Sequence, residues 1–305
     1  MKVVVTGATG LIGSALVSSL EADGHEVVRL VRRPARTPQE RKWDPNGAPD
    51  PSLVEGADAV VHLAAETISG WWTDRKKERI LQSRVEGTKH IAQAIAAAEH
   101  KPKVFLSASG TGYYGHRKDE VVTEDSSAGK GFLADLARDW EASTKPAVQA
   151  GVRTVVLRIS VVLSNRGGAL IQMLPPFRMG LGGKVGNGKQ YWPWITLEDV
   201  VGVIRFAIEK DALSGPVNVC APQETTNLQF TKALGRVLRK PTFFPLPSVV
   251  VTLTLGEMGQ EALLTSTRAT PVKLQQAGYP FKHPEIEEAL RSVLDRPVVG
   301  LPKSR

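Results

Sequence analysis

Three glycines near the start of the chain have the spacing of a phosphate-binding turn. The apolar run of residues 3–6 leads directly into Gly7-x-x-Gly10-x-x-Gly13, and residues 14–20 suit a helix. Glycines placed in this way let the backbone turn tightly and let a diphosphate approach the helix N-terminus, where unpaired amides and the helix dipole favour negative charge. Glycines also mark plain tight turns, but the strand before and the helix after this turn favour a dinucleotide site.

Two arginines stand where a protein that prefers NAD usually carries an acidic residue. That residue lies about 20 positions beyond the glycines and binds the ribose hydroxyls, whereas this chain has Arg32 and Arg33. A carboxylate would repel a 2′-phosphate, while a guanidinium can hold one through charge-assisted hydrogen bonds. The sequence therefore predicts NADP(H) as the cofactor. The alternative is that both arginines are solvated loop residues.

Short apolar runs alternate with helical patterns through the first half of the chain, as in strand–helix–strand units of a parallel sheet. The strands are predicted at residues 3–6, 26–31, 59–63, 104–107 and 154–159, and the helices at 11–22, 73–99 and 132–150. The predicted fold class is α/β, a Rossmann doubly wound parallel sheet with a smaller C-terminal α+β lobe.

The composition changes after residue 159, where glycine and proline become frequent. We expect residues 1–165 to form the NADP-binding domain and residues 195–221, with a short strand at 217–220, to complete it. Residues 166–194 and 222–305 would form the smaller substrate lobe. In this lobe helical patterns cover residues 227–238, 247–258 and 284–294.

Composition narrows the classes of partner. The chain holds a single cysteine, Cys220, which excludes an internal disulfide, and its six histidines lack the spacing of a metal site. A strand pattern begins almost at Met1 and no apolar run is long enough to span a bilayer. We therefore expect a cytoplasmic protein with no membrane partner. The net charge of +8 is spread along the chain, so no nucleic acid partner is expected either.

Four further segments carry a family resemblance, and they are residues 58–65, 107–115, 186–190 and 194–199. With them, the chain resembles the extended short-chain dehydrogenase/reductase superfamily, which includes nucleotide-sugar epimerases and dehydratases. It looks most like an epimerase-like group, on Lys77, Ser83-Arg84, Trp140-Glu141 and residues 112–115, 176–183 and 243–247. The resemblance implies that NADP binds at Gly7, Thr9, Gly10, Leu11, Ile12, Gly13, Arg32, Arg33, Leu63, Ala64 and Arg84.

The acid/base pair usual in that superfamily is missing from its expected place. A Tyr-x-x-x-Lys pair on the helix after the serine turn puts the ammonium beside the phenol and lowers its pKa. Here residues 132–141 contain no tyrosine and no lysine. Tyr114 and Lys118 have the right spacing, but they lie in a glycine-containing loop, where a chance match is the simpler interpretation.

Two functions follow, and the sequence does not choose between them. In the first, the protein is an NADP-dependent oxidoreductase or epimerase, with Ser109 as hydrogen-bond donor and Tyr114 and His116 as acid/base groups. Ser109 could instead satisfy local backbone groups. In the second, the protein is a non-catalytic, NADPH-responsive regulatory or scaffolding protein.

Paired tryptophans flank the expected cofactor end. Trp71, Trp72, Trp192 and Trp194 could line a pocket for a small-molecule substrate, or they could be core packing between lobes. In related sugar-nucleotide enzymes an arginine often stands where this chain has Trp192-Pro193, so the resemblance makes a nucleotide sugar a less expected substrate. Two copies could pair as a homodimer, although the helices concerned carry no decisive apolar excess.

Overall fold

A seven-stranded parallel sheet forms the centre of the protein, seen in a computed structural model that describes residues 1–295. Its strands are β1 (Lys2–Thr6), β2 (Glu26–Val31), β3 (Glu40–Lys42), β4 (Ala59–His62), β5 (Val104–Gly110), β7 (Arg153–Ile159) and β10 (Gly215–Val219). Their order is β3-β2-β1-β4-β5-β7-β10, and every pair is parallel. The chain moves outward from β1 on one side and then on the other. The sheet therefore switches direction between β1 and β4, where such folds bind ligands.

Helices cover both faces of the sheet because its central strands are apolar on both sides. The helices of this domain are α1 (Leu11–Ala22), α2 (Asp74–Ala97), α3 (Phe132–Ala142), α4 (Lys145–Gln149) and α6 (Leu197–Glu209). Val3 and Val5 of β1 face a core shared with α1 and α6. Val4, between them, faces a second core shared with α2 and α4. The predicted doubly wound α/β fold is confirmed.

The remaining elements lie outside the central sheet, and a third apolar core is formed among some of them. They are α5 (Ala169–Arg178), α7 (Asn227–Leu238), α8 (Ser248–Gly259), α9 (Val272–Gln276) and α10 (Ile286–Asp295), with strand pairs β8 (Val161–Leu163) with β9 (Trp194–Thr196) and β6 (Val121–Val122) with β11 (Arg268–Ala269). Helices α5, α7, α8 and α10 contribute to this third core together with Trp192 and Trp194. The division into residues 1–165 with 195–221 and a smaller lobe stays a prediction, and residues 296–305 lie outside the described part.

Several boundaries differ from those expected. The helix predicted over residues 132–150 is two helices, α3 and α4, because the chain breaks at Ser143 and Thr144 before Pro146, which suits a first helical turn. Five strands of two or three residues, β3, β6, β8, β9 and β11, carried too little pattern to predict. Among residues 1–295, no helix is both long and apolar enough to cross a membrane.

Candidate functional site

The glycine turn is built for close approach between β1 and β4. Gly7 has a φ of +67°, and a Cβ there would lie 2.7 Å from the Leu63 carbonyl carbon and 2.8 Å from the Ala64 nitrogen. A Cβ on Gly13 would lie 2.1 Å from the Gly7 oxygen. A side chain at Gly7 would therefore push the turn away from the loop after β4, and a side chain at Gly13 would push α1 away from the turn.

The N-terminus of α1 is left without a side-chain cap. Gly10 is the N-cap residue and provides no acceptor for the first-turn amides, while its own N–H donates to Gly7 O at 3.0 Å. Thr9 and Gly10 are exposed, and Leu11 and Ile12 are half-buried. The unpaired amides and the helix dipole there suit a bound phosphate. The donor set and the space that the glycines clear fit a dinucleotide diphosphate.

A threonine and a histidine hold the loop beside this turn. The Thr6 hydroxyl accepts from the amides of Leu63 at 3.1 Å and Ala64 at 3.2 Å, and it lies 2.8 Å from His62 Nδ1. His62 is fully buried, and desolvation lowers its pKa to about 3. The ring is therefore neutral, Nδ1 accepts the Thr6 proton, and Nε2 carries the ring hydrogen. Leu63 and Ala64 lie beside Gly7 as expected, while the supporting role of Thr6 and His62 was not predicted.

The two arginines after β2 are held differently. Arg33 donates two hydrogen bonds to the Glu40 carboxylate, at 2.8 and 2.6 Å, and the guanidinium lowers the pKa of Glu40 to about 2. Arg32 is exposed and makes no hydrogen bond or ion pair with another residue in the described part of the chain. Glu40 on the short strand β3 therefore fixes Arg33, and Arg32 is the arginine with its guanidinium free for a ligand.

Arg84 lies in the interior rather than at the surface of a cleft. It is 8% exposed and donates to the backbone oxygens of Glu66 at 2.9 Å and Ile80 at 3.3 Å. Its guanidinium lies 4.9 Å from the Trp140 ring centroid, and burial lowers its pKa to about 10 although Glu66 opposes that shift. The contacts of Arg84 fix the loop after β4.

A buried charged network underlies the serine turn. Arg158 holds Glu141 through two hydrogen bonds of 2.8 Å, with the side chains 3% and 14% exposed. Ser109 donates to Glu141 at 2.8 Å, so its hydroxyl proton is already engaged. The Tyr114 hydroxyl accepts from Arg158 at 2.9 Å and donates to Asn218 at 2.6 Å. The structure thus brings Ser109 and Tyr114 into one network.

Tyr114 lies inside this network. The side chain is fully buried, both hydrogen-bonding functions of its hydroxyl are satisfied inside the protein, and burial raises its pKa to about 12. Its proton is therefore held by Asn218 in this arrangement, and its acid/base role stays a prediction. His116 is exposed and lies apart from the network, with Nδ1 accepting from the Ser266 amide at 3.1 Å. The polar residues of β7 and of α3, Arg158 and Glu141, were not predicted.

The first turn of α3 presents an apolar face to the serine turn. Leu133 approaches Gly112 so closely that a Cβ on the glycine would lie 3.1 Å from the Leu133 Cβ. Ala137, one helical turn further along, is buried. The carboxylate of Glu261 closes the N-terminus of this helix by accepting from the Leu133 amide at 3.3 Å. Burial raises the pKa of Glu261 although these amides oppose that shift.

Three of the four tryptophans expected at a pocket lie inside the protein. Trp194 is 2% exposed, and its indole donates to the Thr225 hydroxyl. Trp192 and Trp72 are buried and donate to backbone oxygens. The burial of these three agrees with the alternative of core packing, and a pocket lined by them stays a prediction. Trp71 is 57% exposed, and a Cβ on Gly256 of α8 would lie 3.3 Å from its ring.

The sole cysteine of the chain lies in the interior. Cys220 is fully buried and its thiol donates weakly to the Ala269 oxygen, and desolvation raises its pKa. Within residues 1–295, no cluster of three histidine, cysteine or acidic residues could hold a metal ion.

The chain matches a known protein family over most of its length. The family model for the NAD dependent epimerase/dehydratase family matches residues 3–220, and a domain of unknown function, DUF1731, matches residues 246–293. Epimerase family protein Mb2239 of Mycobacterium bovis is 45% identical over 297 residues, which cover 97% of this chain and 98% of that protein. Epimerase family protein SDR39U1 of Homo sapiens is 37% identical over 298 residues, which cover 96% of this chain and all of that protein.

Solved structures share the whole fold. The crystal structure of human epimerase family protein SDR39U1 (isoform 2) with NADPH has a TM-score of 0.89 at 35% identity, covering 97% of this chain and 99% of that one. The UDP-glucuronic acid 4-epimerase from Bacillus cereus in complex with NAD has a TM-score of 0.75 at 19% identity, covering 97% of this chain and 96% of that one. The second likeness concerns the fold alone.

Proposed function

Because the chain belongs to the NAD dependent epimerase/dehydratase family, in its atypical extended short-chain dehydrogenase/reductase group, we propose that it binds NADP(H). The observation that carries this proposal is the cradle formed by Gly7, Gly13 and the uncapped start of α1, with free Arg32 beyond it. The diphosphate would meet the amides of Leu11 and Ile12. The human relative solved with NADPH supports the choice of dinucleotide.

We propose that the 2′-phosphate is held by Arg32, with Arg33 as a positioned neighbour. Glu40 fixes the Arg33 guanidinium through two hydrogen bonds, which lowers the cost of ordering that side chain. Arg32 has no such partner in the described chain and can turn towards a phosphate. Both charges lie at the end of β2, on the side of the switch point where the adenosine half of a dinucleotide binds.

We propose that a small-molecule substrate, whose identity is open, meets the nicotinamide beside the serine turn. When bound, the nicotinamide supplies or accepts a hydride. Ser109 has its proton engaged by Glu141 and its two lone pairs available as acceptors. Helix α3 contains no tyrosine and no lysine, and Leu133 approaches the serine turn. The ionisable group that α3 brings to this turn is the Glu141 carboxylate, which accepts from Ser109, so a proton transfer here would pass through Ser109 and Glu141 rather than through a tyrosine.

The cofactor proposal is tested by charge reversal at Arg32. Arg32→Glu should weaken NADPH binding by about ten- to a hundred-fold, the value of hydrogen bonds to a charged group, and NADH binding much less. Isothermal titration calorimetry with both dinucleotides measures this difference. Arg36→Glu is the matched control, because Arg36 is also exposed and only its backbone contacts Glu40. Equal losses for NADPH and NADH would overturn the assignment.

A second function, NADPH-responsive regulation without catalysis, is favoured by the lack of a tyrosine and a lysine in α3 and by the burial of Tyr114. The two functions are separated by incubating the purified protein and NADPH with a panel of carbonyl compounds and nucleotide sugars. Turnover that is abolished by Ser109→Ala supports the oxidoreductase or epimerase function. NADPH binding with complete inertness across the panel supports the regulatory one.

A further inference from the structure

Exposed apolar side chains are concentrated in two stretches of the smaller lobe. Large apolar side chains are exposed in two short stretches of the chain, and we call this set the apolar patch: Met179, Leu181, Phe243, Phe244, Leu246, Val249 and Leu253. Phe243 is 82% exposed and Leu253 is 74% exposed, although both side chains are apolar. Exposed apolar residues that cluster in this way mark an interaction site.

Backbone contacts join the two stretches into one surface. Leu246 donates to Lys184 O and Gly186 donates to Leu246 O, both at 2.8 Å, and the Phe244 amide donates to Gly182 O at 3.4 Å. A Cβ on Gly180 would lie 3.6 Å from Pro241. The phenylalanines are therefore held against the stretch that carries Met179 and Leu181.

Helix α8 extends the patch with an uncovered face. Only Val251 and Gly259 of this helix are buried, and the sequence from Ser248 to Gly256 contains no charged residue. Val249 and Leu253 are four residues apart, so they lie on the same side of the helix and both face solvent. The helix thus packs on the lobe with one edge and exposes an apolar ridge.

The two stretches that carry the patch hold cations and no acidic residue as far as Gly256. Residues 167–197 and 225–256 contain no aspartate or glutamate and seven cations, which are Arg178, Lys184, Lys189, Lys232, Arg236, Arg239 and Lys240. Four of these cations line a shallow groove of about 340 Å³ together with Phe243. Arg239 and Lys240 make no ion pair with any residue in the described chain, whereas Arg236 pairs with Glu287. Exposed phenylalanines and free cations therefore share one edge.

We propose that the apolar patch docks on the surface of an anionic lipid bilayer. Apolar side chains projecting beside free cations match an interface in which acyl chains lie below negatively charged headgroups. A second copy of the chain is a poor occupant, because pairing two such surfaces would place like charges together. The expectation of no membrane partner was based on the absence of a spanning segment, and adsorption to a surface needs none.

The proposal is tested by sedimenting the purified full chain with lipid vesicles. Binding to an equal mixture of phosphatidylcholine and phosphatidylglycerol should exceed binding to phosphatidylcholine alone by at least about ten-fold and should weaken as salt rises. Phe243→Ser with Phe244→Ser should reduce it about ten-fold or more. Arg239→Gln with Lys240→Gln should reduce it about twenty-five-fold, at about five-fold for each cation. Val121→Ser with Val148→Ser, two exposed apolar residues outside the patch, is the matched control and should change nothing.

Three results would overturn the proposal. One is that the wild-type chain stays in the supernatant with phosphatidylglycerol vesicles at low salt. Another is that the phenylalanine variant, with an unchanged Tm, binds as well as the wild type. The third is that the phenylalanine variant changes the molecular mass in analytical ultracentrifugation while vesicle binding is absent, which would assign the patch to a protein interface. NADPH affinity, measured on the same variants, should stay constant, so failure here is distinct from failure of the cofactor proposal.

Discussion

At the scale of single residues, the space around the backbone determines which residues the glycine turn can accept. Gly7 and Gly151 both have positive φ values, +67° and +80°, but only Gly7 has backbone atoms within 3 Å of a would-be Cβ. The strain of a left-handed alanine is common to both positions, while the steric conflict is confined to the first. Alanine substitutions at Gly7 and Gly151 therefore distinguish the cost of a left-handed conformation from the cost of a steric clash.

We predict that Gly151→Ala lowers the free energy of unfolding by roughly 1 kcal/mol and leaves NADPH binding intact. Gly7→Ala should cost a further 1–3 kcal/mol or so, because the backbone at Leu63 and Ala64 must move. It should also abolish NADPH binding. Urea unfolding and calorimetry measure both effects, and equal losses for the two variants would contradict the steric argument.

His62 makes the stability of the fold depend on pH. Its pKa falls from an ordinary 6.5 to about 3 because the ring is desolvated. Between these values the unfolded chain binds a proton that the folded chain does not. Stability therefore decreases as pH falls through this window, by up to about 1.4 kcal/mol per pH unit.

We predict that His62→Gln removes this dependence even if it destabilises the protein at neutral pH. The slope of unfolding free energy against pH, measured by urea titration from pH 6.5 towards pH 4, should be smaller in the variant. The difference should correspond to the uptake of roughly one proton on unfolding. An unchanged slope would show that His62 is protonated in the folded protein.

At the scale of elements, β7 and α3 are tied together by a buried ion pair rather than by apolar packing alone. Arg158 and Glu141 are almost fully buried, and each remaining polar function has a partner, including Ser109 and Tyr114. Removing one member leaves the other charge buried and unpaired, which costs far more than removing both.

We predict that Arg158→Met lowers the free energy of unfolding by about 3–5 kcal/mol. Adding Glu141→Met should recover a substantial part of that loss, since no buried charge then remains. A double-mutant cycle by urea denaturation measures the coupling. Additive losses would mean that the two side chains do not depend on each other.

The elements of the fold could be predicted from the sequence better than the contacts of single side chains. Apolar runs indicated the long strands, and helical periodicity indicated the long helices. The order of elements around the glycine turn could therefore be predicted. The partners of single polar residues were not. A histidine at the end of β4 and an arginine inside β7 are signals in otherwise apolar strands, but their partners Thr6 and Glu141 are 56 and 17 residues away. The tryptophans were left with two interpretations, since aromatic residues near loops fit both a pocket and a core.

At the scale of the whole molecule, the cofactor cleft joins elements far apart in sequence. The turn after β1, the loop after β4 and the arginines after β2 meet only in the folded sheet. A ligand that binds there should therefore stabilise the fold as a whole, because it binds the folded chain and not the unfolded one.

We predict that NADPH at a hundred times its Kd raises the free energy of unfolding by about 2.7 kcal/mol. Arg32→Glu should lose most of this gain at the same NADPH concentration. Thermal unfolding followed by circular dichroism measures both, and a wild-type Tm independent of NADPH would contradict binding at this site.

The buried thiol of Cys220 has a practical consequence. It is the only cysteine of the chain, it is inaccessible to solvent, and burial disfavours its reactive thiolate. A cysteine introduced on the surface would then be the one site that a maleimide dye labels. A dye on a cysteine introduced at Phe243 or at Val148 reports the polarity around that position alone. The native Cys220 does not have to be removed first.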